Sequence, residues 1–250
     1  MRKTLYLLLS ACCLATAVLF GAPIRSSLGA AGAEYVEEDA ALPTDYITDG
    51  LVAYFDALEN EDWGVYNPLP SFWKDLTGNG FDLPLDGTAV SFNNGVCTVP
   101  AGTTVNSGKA LDAVSIEVVW RIGKKSPYVR EKVLHTGTTR GVMIRYKAIG
   151  FKVSNPLNCI ATIGDDSRFS YGSYSFIYNR DFSWANIYLN GAMQTGTKVS
   201  MTTTDLSGMG ITTSADIVLY VSCIRIYDRV LTEEEVEWNY NIDRERFDLP

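Results

Sequence analysis

The sequence predicts an all-β fold over residues 50–250, a two-sheet antiparallel sandwich of the jelly-roll kind closed by a C-terminal helix. Three observations predict it. Apolar and polar residues alternate with period two along several short segments, the pattern of strands with one buried face. Turn residues separate those segments, above all Asn190-Gly191. One clear helix start stands near the end of the chain, at Thr232.

The elements follow in order. Val114, Ile116, Val118, Trp120 and Ile122 share one parity, and Ser115, Glu117, Val119 and Arg121 share the other. The first set therefore faces a core and the second faces outward. Val142, Ile144 and Tyr146 alternate in the same way with Met143, Arg145 and Lys147. Ala185 to Asn190 repeats the pattern, and Asn190-Gly191 predicts a tight hairpin into 192–198, because both turn positions tolerate positive φ. Ile217 to Arg229 again has strand character. The helix is expected from Thr232 or Glu233 to Phe247. Thr232 caps it, Glu235 completes a capping box, and Leu231 and Val236 are spaced for a hydrophobic staple. Glu233 and Glu234 suit its positive end. Val236 and Tyr240 fall on the face that packs on the sandwich.

Composition narrows the class. Of 250 residues, 46% are hydrophobic and 20% charged, which excludes a disordered chain. The net charge of −8 argues against sequence-independent binding to nucleic acid, which needs a basic face. Residues 1–33 read as an export signal: Arg2 and Lys3, an apolar run from Leu5 to Ala22, then small residues ending near Ala33. That run also reaches spanning length, so an uncleaved anchor is the rival reading. Leu9-Ser10-Ala11-Cys12 resembles a lipobox, with Cys12 as the lipidated residue. The expected location is secreted or cell-surface. Residues 34–49 read as a short acidic, solvated lead-in. Cys97, Cys159 and Cys223 remain after the signal, each in an apolar stretch, and read as buried thiols with one disulfide allowed.

Four segments in order resemble the laminin G-like, concanavalin A-like jelly-roll domains of secreted bacterial proteins. They are Gly50 to Asp56, Trp73 to Leu83 with its Gly78-Asn79-Gly80 element, Ile187 to Gly191, and Ile224 to Glu235. The resemblance implies two antiparallel sheets packed face to face. It fixes fold better than function, since function lives in sites.

Several sites are weighed on that frame. Glycosidases of this fold use paired carboxylates. The Glu-x-Asp-x-x-Glu spacing of the glucanase branch is missing, and Glu117 is the one acid of its strand. His135 stands alone in the sequence, without a Gly-x-Ser-x-Gly elbow. No catalysis is expected. Asp75, Asn79 and Asp82 offer oxygens for a structural Ca2+, the one cofactor the sequence suggests. Ser222 and Cys223 stand where many relatives carry acids, and the competing reading is a self-capped turn.

The remaining candidate is a glycan face. If Ile187 and Leu189 are core, then Trp184, Asn186, Tyr188 and Asn190 point outward, with Arg145 and Glu117 adding hydrogen bonds. A loop or the lead-in covering these aromatics is the competing reading, and Tyr171, Tyr174 and Tyr178 are equally ambiguous. The expected function is a non-catalytic carbohydrate- or glycoconjugate-binding module. The alternative is an adhesion or assembly protein that binds another protein through the sandwich.

Overall fold

A computed structural model describes residues 45–59, 61–62, 65–66, 71–109, 111, 114–123, 131–135, 141–145, 148–152, 159–162, 172–178, 185–194, 209–213 and 217–250. The strands run in chain order as β1 (Leu51–Asp56), β2 (Glu61–Asp62), β3 (Val65–Tyr66), β4 (Phe72–Trp73), β5 (Leu83–Pro84) and β6 (Ser91–Asn93). They continue as β7 (Val96–Val99), β8 (Thr104–Asn106), β9 (Ser115–Ile122), β10 (Glu131–His135), β11 (Gly141–Arg145) and β12 (Ala148–Lys152). The last are β13 (Cys159–Thr162), β14 (Gly172–Tyr178), β15 (Ala185–Leu189), β16 (Ala192–Gln194), β17 (Gly210–Thr212) and β18 (Leu219–Tyr227).

Two antiparallel sheets form the sandwich. The larger has eight strands in the order β16-β15-β14-β9-β18-β7-β6, with β1 also on β18. The smaller has six, in the order β13-β12-β11-β10-β17-β8. Their inner faces make one core, in which Ile116, Val118, Trp120 and Ile122 of β9 meet Val105 of β8 and Ile211 of β17. The period-two reading of β9 therefore holds residue by residue. Asn190 and Gly191 take φ of 51° and 71° between the paired Leu189 and Ala192, the expected tight hairpin. Cys97 and Cys223 are buried free thiols.

Strand β18 organises the large sheet. Strand β9 pairs along one of its edges. The other edge is shared: Leu219, Tyr220 and Val221 pair with β7, and Cys223 to Tyr227 pair with β1. A bulge between Val221 and Cys223 makes Ser222 the extra residue at the changeover.

The C-terminal helix spans Glu233–Phe247. The Thr232 hydroxyl accepts from the Glu235 backbone N–H, and the Glu235 carboxylate accepts from the Thr232 N–H. Leu231 and Val236 bury together, as a staple requires. Of the 34–49 lead-in, residues 34–44 lie outside the described residues, and Asp45 to Ile47 are not merely solvated. Tyr46 is buried, the Ile47 N–H donates to Asn239, and the Trp238 indole donates to the Asp45 carbonyl. Asp45, Tyr46 and Ile47 are thus tied down by the helix.

Candidate functional site

The outer face of the eight-stranded sheet has two unlike halves. On one, the helix and the 45–47 segment lie over the outward residues of β9, β14, β15 and β18. Arg225 of β18 is fully buried there. Its Nε donates to Glu117 at 2.9 Å, and its Nη1 and Nη2 donate to the two oxygens of Asp243, each at 2.7 Å. Each of the four carboxylate oxygens accepts from a neutral donor. Ser175 and Asn239 donate to Glu117 at 3.0 and 2.7 Å, while Tyr46 and Ser173 donate to Asp243 at 2.9 and 2.7 Å. The Tyr46 ring lies 4.0 Å from the Arg225 guanidinium. Burial pushes the Glu117 carboxyl above its ordinary range, with Arg225 pulling the other way. Burial also opposes the charge of Arg225, but Asp243 and Glu117 hold it protonated.

A second cluster continues the seal. Nη1 of Arg246 donates to the hydroxyls of Tyr46 and Tyr54 at 3.2 and 3.1 Å and to Asp56 at 2.6 Å. Its Nη2 donates to Glu59 at 2.9 Å. The inward face of the helix is therefore polar at Asn239 and Asp243, and ion pairs dock it beside apolar contacts such as that of Val236.

The other half carries no such layer among the described residues. Ser91, Thr98, Tyr220 and Arg121 stand opposite one another across β6, β7, β18 and β9, all outward and all half-buried. The Arg121 guanidinium stacks 3.8 Å from the Tyr220 ring centroid. The ring lies on the backbone of Gly123, where a Cβ would come within 2.3 Å of it. This row combines a rigid aromatic ring, a planar cation and two hydroxyls.

A cleft of about 210 Å3 adjoins the row at the β18 bulge. Val96 and Thr98 are alternate outward residues of β7, so the cleft begins about 6–7 Å from the row. Leu58, Val96 and Phe247 give it apolar walls, Asn94 and Ser222 give neutral polar ones, and Arg246 and Gly95 complete the lining. Asn94 and Gly95 form a tight turn between β6 and β7, with φ of 48° and 73°. A side chain on Gly95 would clash with Leu58, whose Cδ2 lies 2.5 Å from the Cβ position. Leu58 is nevertheless 44% exposed, at the rim.

Among the described residues, the sequence-predicted glycan face is not assembled. Glu117 (1% exposed) and Tyr188 (4%) point outward, as their parity requires, but into the layer beneath the helix. Tyr188 packs with Ile177, Tyr227, Leu231 and Val236, so its cover comes chiefly from the C-terminal helix and Leu231 just before it, which the sequence reading of a loop or lead-in cover did not name. Asn186 and Asn190 are half-buried, and Asn190 accepts from the Ser173 N–H beside its turn. Arg145 belongs to β11 of the six-stranded sheet, a different sheet from Glu117, Asn186 and Tyr188. Trp184 and Tyr171 lie outside the described residues. Tyr174 is core.

The residues considered for Ca2+ do not fit it. Asp75 Oδ1 accepts from the N–H groups of Tyr54 and Thr77 and from the Thr77 hydroxyl, and its Oδ2 accepts from the Phe81 N–H. Asp82 accepts from the Asp75 N–H and pairs with Lys74 at 3.1 Å, while the Asn79 amide donates to the Val52 carbonyl. The oxygens a hard cation would need are turned on the chain's own donors. Asp75 is the centre of a self-capped turn.

Sequence reasoning missed Tyr220, Thr98 and Asn94. Their signals were present: Tyr220 lies between the inward Leu219 and Val221, and Asn94-Gly95 is a hairpin dipeptide.

No family model matches the chain, and no curated protein matches it. Solved structures do. The binding domain of botulinum neurotoxin DC in complex with SialylT aligns with a TM-score of 0.59 and 14% identity, over 78% of this chain and 51% of that one. The binding domain of Paraclostridial Mosquitocidal Protein 1 gives 0.56 and 12%, over 76% and 52%. Trypanosoma rangeli sialidase in complex with sialic acid gives 0.57 and 12%, over 78% and 33%. The chain thus spans about half the length of the two binding domains and a third of the sialidase. These likenesses show the fold, an antiparallel β-sandwich.

Proposed function

We propose that the protein is a non-catalytic binding module that acts outside the cell and holds a carbohydrate or glycoconjugate on the open half of its large sheet. The observation that carries this is the Ser91–Thr98–Tyr220–Arg121 row beside the cleft. A sugar offers C–H faces and many hydroxyls, and a rigid ring with planar polar groups complements both at little entropic cost. The fold neighbours support the reading, because two are binding domains and two were solved with SialylT or sialic acid. The N-terminal export pattern supports the location.

A second reading, a protein partner on the same face, is favoured by the exposed Leu58 at the cleft rim. A related binding domain was solved in complex with rat synaptotagmin II. A glycan array probed with the full chain separates the two. Binding is expected, with loss of signal in Tyr220→Leu while the fold loses no more than about 1 kcal/mol. A silent array contradicts the glycan reading, and steady release of reducing ends by pure protein contradicts the non-catalytic one.

A further inference from the structure

We infer that the cleft at the β18 bulge takes a single uncharged sugar ring, as the anchoring subsite of the glycan. The inference rests on the glycan-binding reading above and narrows it. Size comes first. At about 210 Å3 the cleft is smaller than the roughly 300–1,000 Å3 of sites for drug-sized ligands, which leaves room for one ring. Its lining comes second. Leu58, Val96 and Phe247 match the C–H face of a pyranose, and Asn94 with the largely buried Ser222 gives the neutral polar lining its hydroxyls need.

Charge selects within the sugars. Arg246 is the cation of the lining, and its fork is filled by Asp56 and Glu59. Among the described lining residues and their ion partners, one guanidinium stands against two carboxylates. A uronic or sialic acid entering the cleft would therefore meet net repulsion and no open fork. A neutral ring meets neither.

The walls are held before any ligand arrives. Asn94 is fixed by its tight turn, Ser222 by the bulge, and Phe247 by the helix, which buried ion pairs clamp to the sheet. Preorganisation of this kind lets a small weak ligand bind at all.

The test is a titration of the full chain, followed by protein NMR, with the methyl glycosides of glucose, galactose and mannose and, separately, with glucuronate and N-acetylneuraminate. At least one neutral glycoside is expected to saturate in the millimolar range, about fivefold or more tighter than either acid. Asn94→Gly keeps the positive φ and removes the amide, and Ser222→Ala removes the hydroxyl. Each is expected to weaken that glycoside about threefold or more at an unchanged melting midpoint.

Equal or tighter binding of an acid overturns the inference. So does indifference of the neutral glycoside to both variants. Saturation by N-acetyl-tryptophanamide with no sugar binding also overturns it, because the cleft would then suit a protein side chain. If these results come with array binding that still depends on Tyr220, the subsite inference fails alone. A silent array removes both readings.

Discussion

Strands β9 and β18 run through both halves of the outer face, yet the two halves carry opposite solutions to the same problem. Toward the Tyr227 end, outward polar groups are buried beneath a helix and neutralised inside the protein, with Arg225 set between Glu117 and Asp243. Toward the Leu219 end, outward groups stay half-exposed, with Arg121 laid on Tyr220. The Ser222 bulge marks the boundary, because the partner of β18 changes from β1 to β7 there. The difference teaches that an outward position is a statement about parity alone. Whether that position is structural or available to a ligand depends on what the rest of the chain lays over it.

The sealed half yields the largest expected effect. Arg225→Met leaves Glu117 and Asp243 buried without their cation, and breaking such a pair costs about 3–5 kcal/mol. The melting midpoint should fall by roughly 6–20 °C in a domain of this size. A fall equivalent to less than about 1 kcal/mol would mean that apolar contacts alone dock the helix.

Asp75 sharpens the contrast among buried acids, since it is satisfied by N–H and O–H donors and not by a cation. Asp75→Ala should cost about 2–3 kcal/mol, because it orphans donors that a charged acceptor had satisfied. Added calcium should leave the wild-type midpoint where it was. A calcium-dependent rise that Asp75→Ala abolishes would restore the cation reading of this turn.

Glu117 gives a pH signature. Burial raises its folded pKa above the ordinary 4.5, so folding favours the protonated form. Its contribution to stability is fully present below the unfolded pKa and is lost as pH rises through the folded one. Measured against Glu117→Gln, which cannot titrate, the wild type should therefore gain stability as pH is lowered from neutrality toward 4.5. The opposite slope would show that the Arg225 pair dominates over desolvation.

The open half should matter least to the fold. Tyr220→Leu removes a stack worth about 0.5–1 kcal/mol, and thermal melting should register no more than that. A loss as large as that of Arg225→Met would make Tyr220 structural and erase the distinction between the halves.

The sequence made legible those parts of the molecule that are set locally. The parity of β9, the Asn190-Gly191 turn and the Thr232–Glu235 capping box each depend on a few neighbouring residues. The cover over Glu117 and Tyr188 was not legible, because it arrives from a helix more than a hundred residues away from Glu117. The helix meets the sheet through Asn239 and Asp243, which hydropathy reads as solvated. Parity likewise cannot say which sheet a strand joins, and so Arg145 was grouped with residues of the opposite sheet. The row on the open half depends on register between β6, β7, β18 and β9, and alternation along a single strand carries no register.

Backbone amide shift mapping, during titration of the full chain with the strongest array ligand, tests the division of the face most directly. Perturbations are expected at Ser91–Thr98 and at Tyr220 to Ser222, with Arg225 to Tyr227 and Asn239 to Asp243 unmoved. Shifts centred on Arg225 and the helix, or on β10 to β13 of the six-stranded sheet, would contradict it.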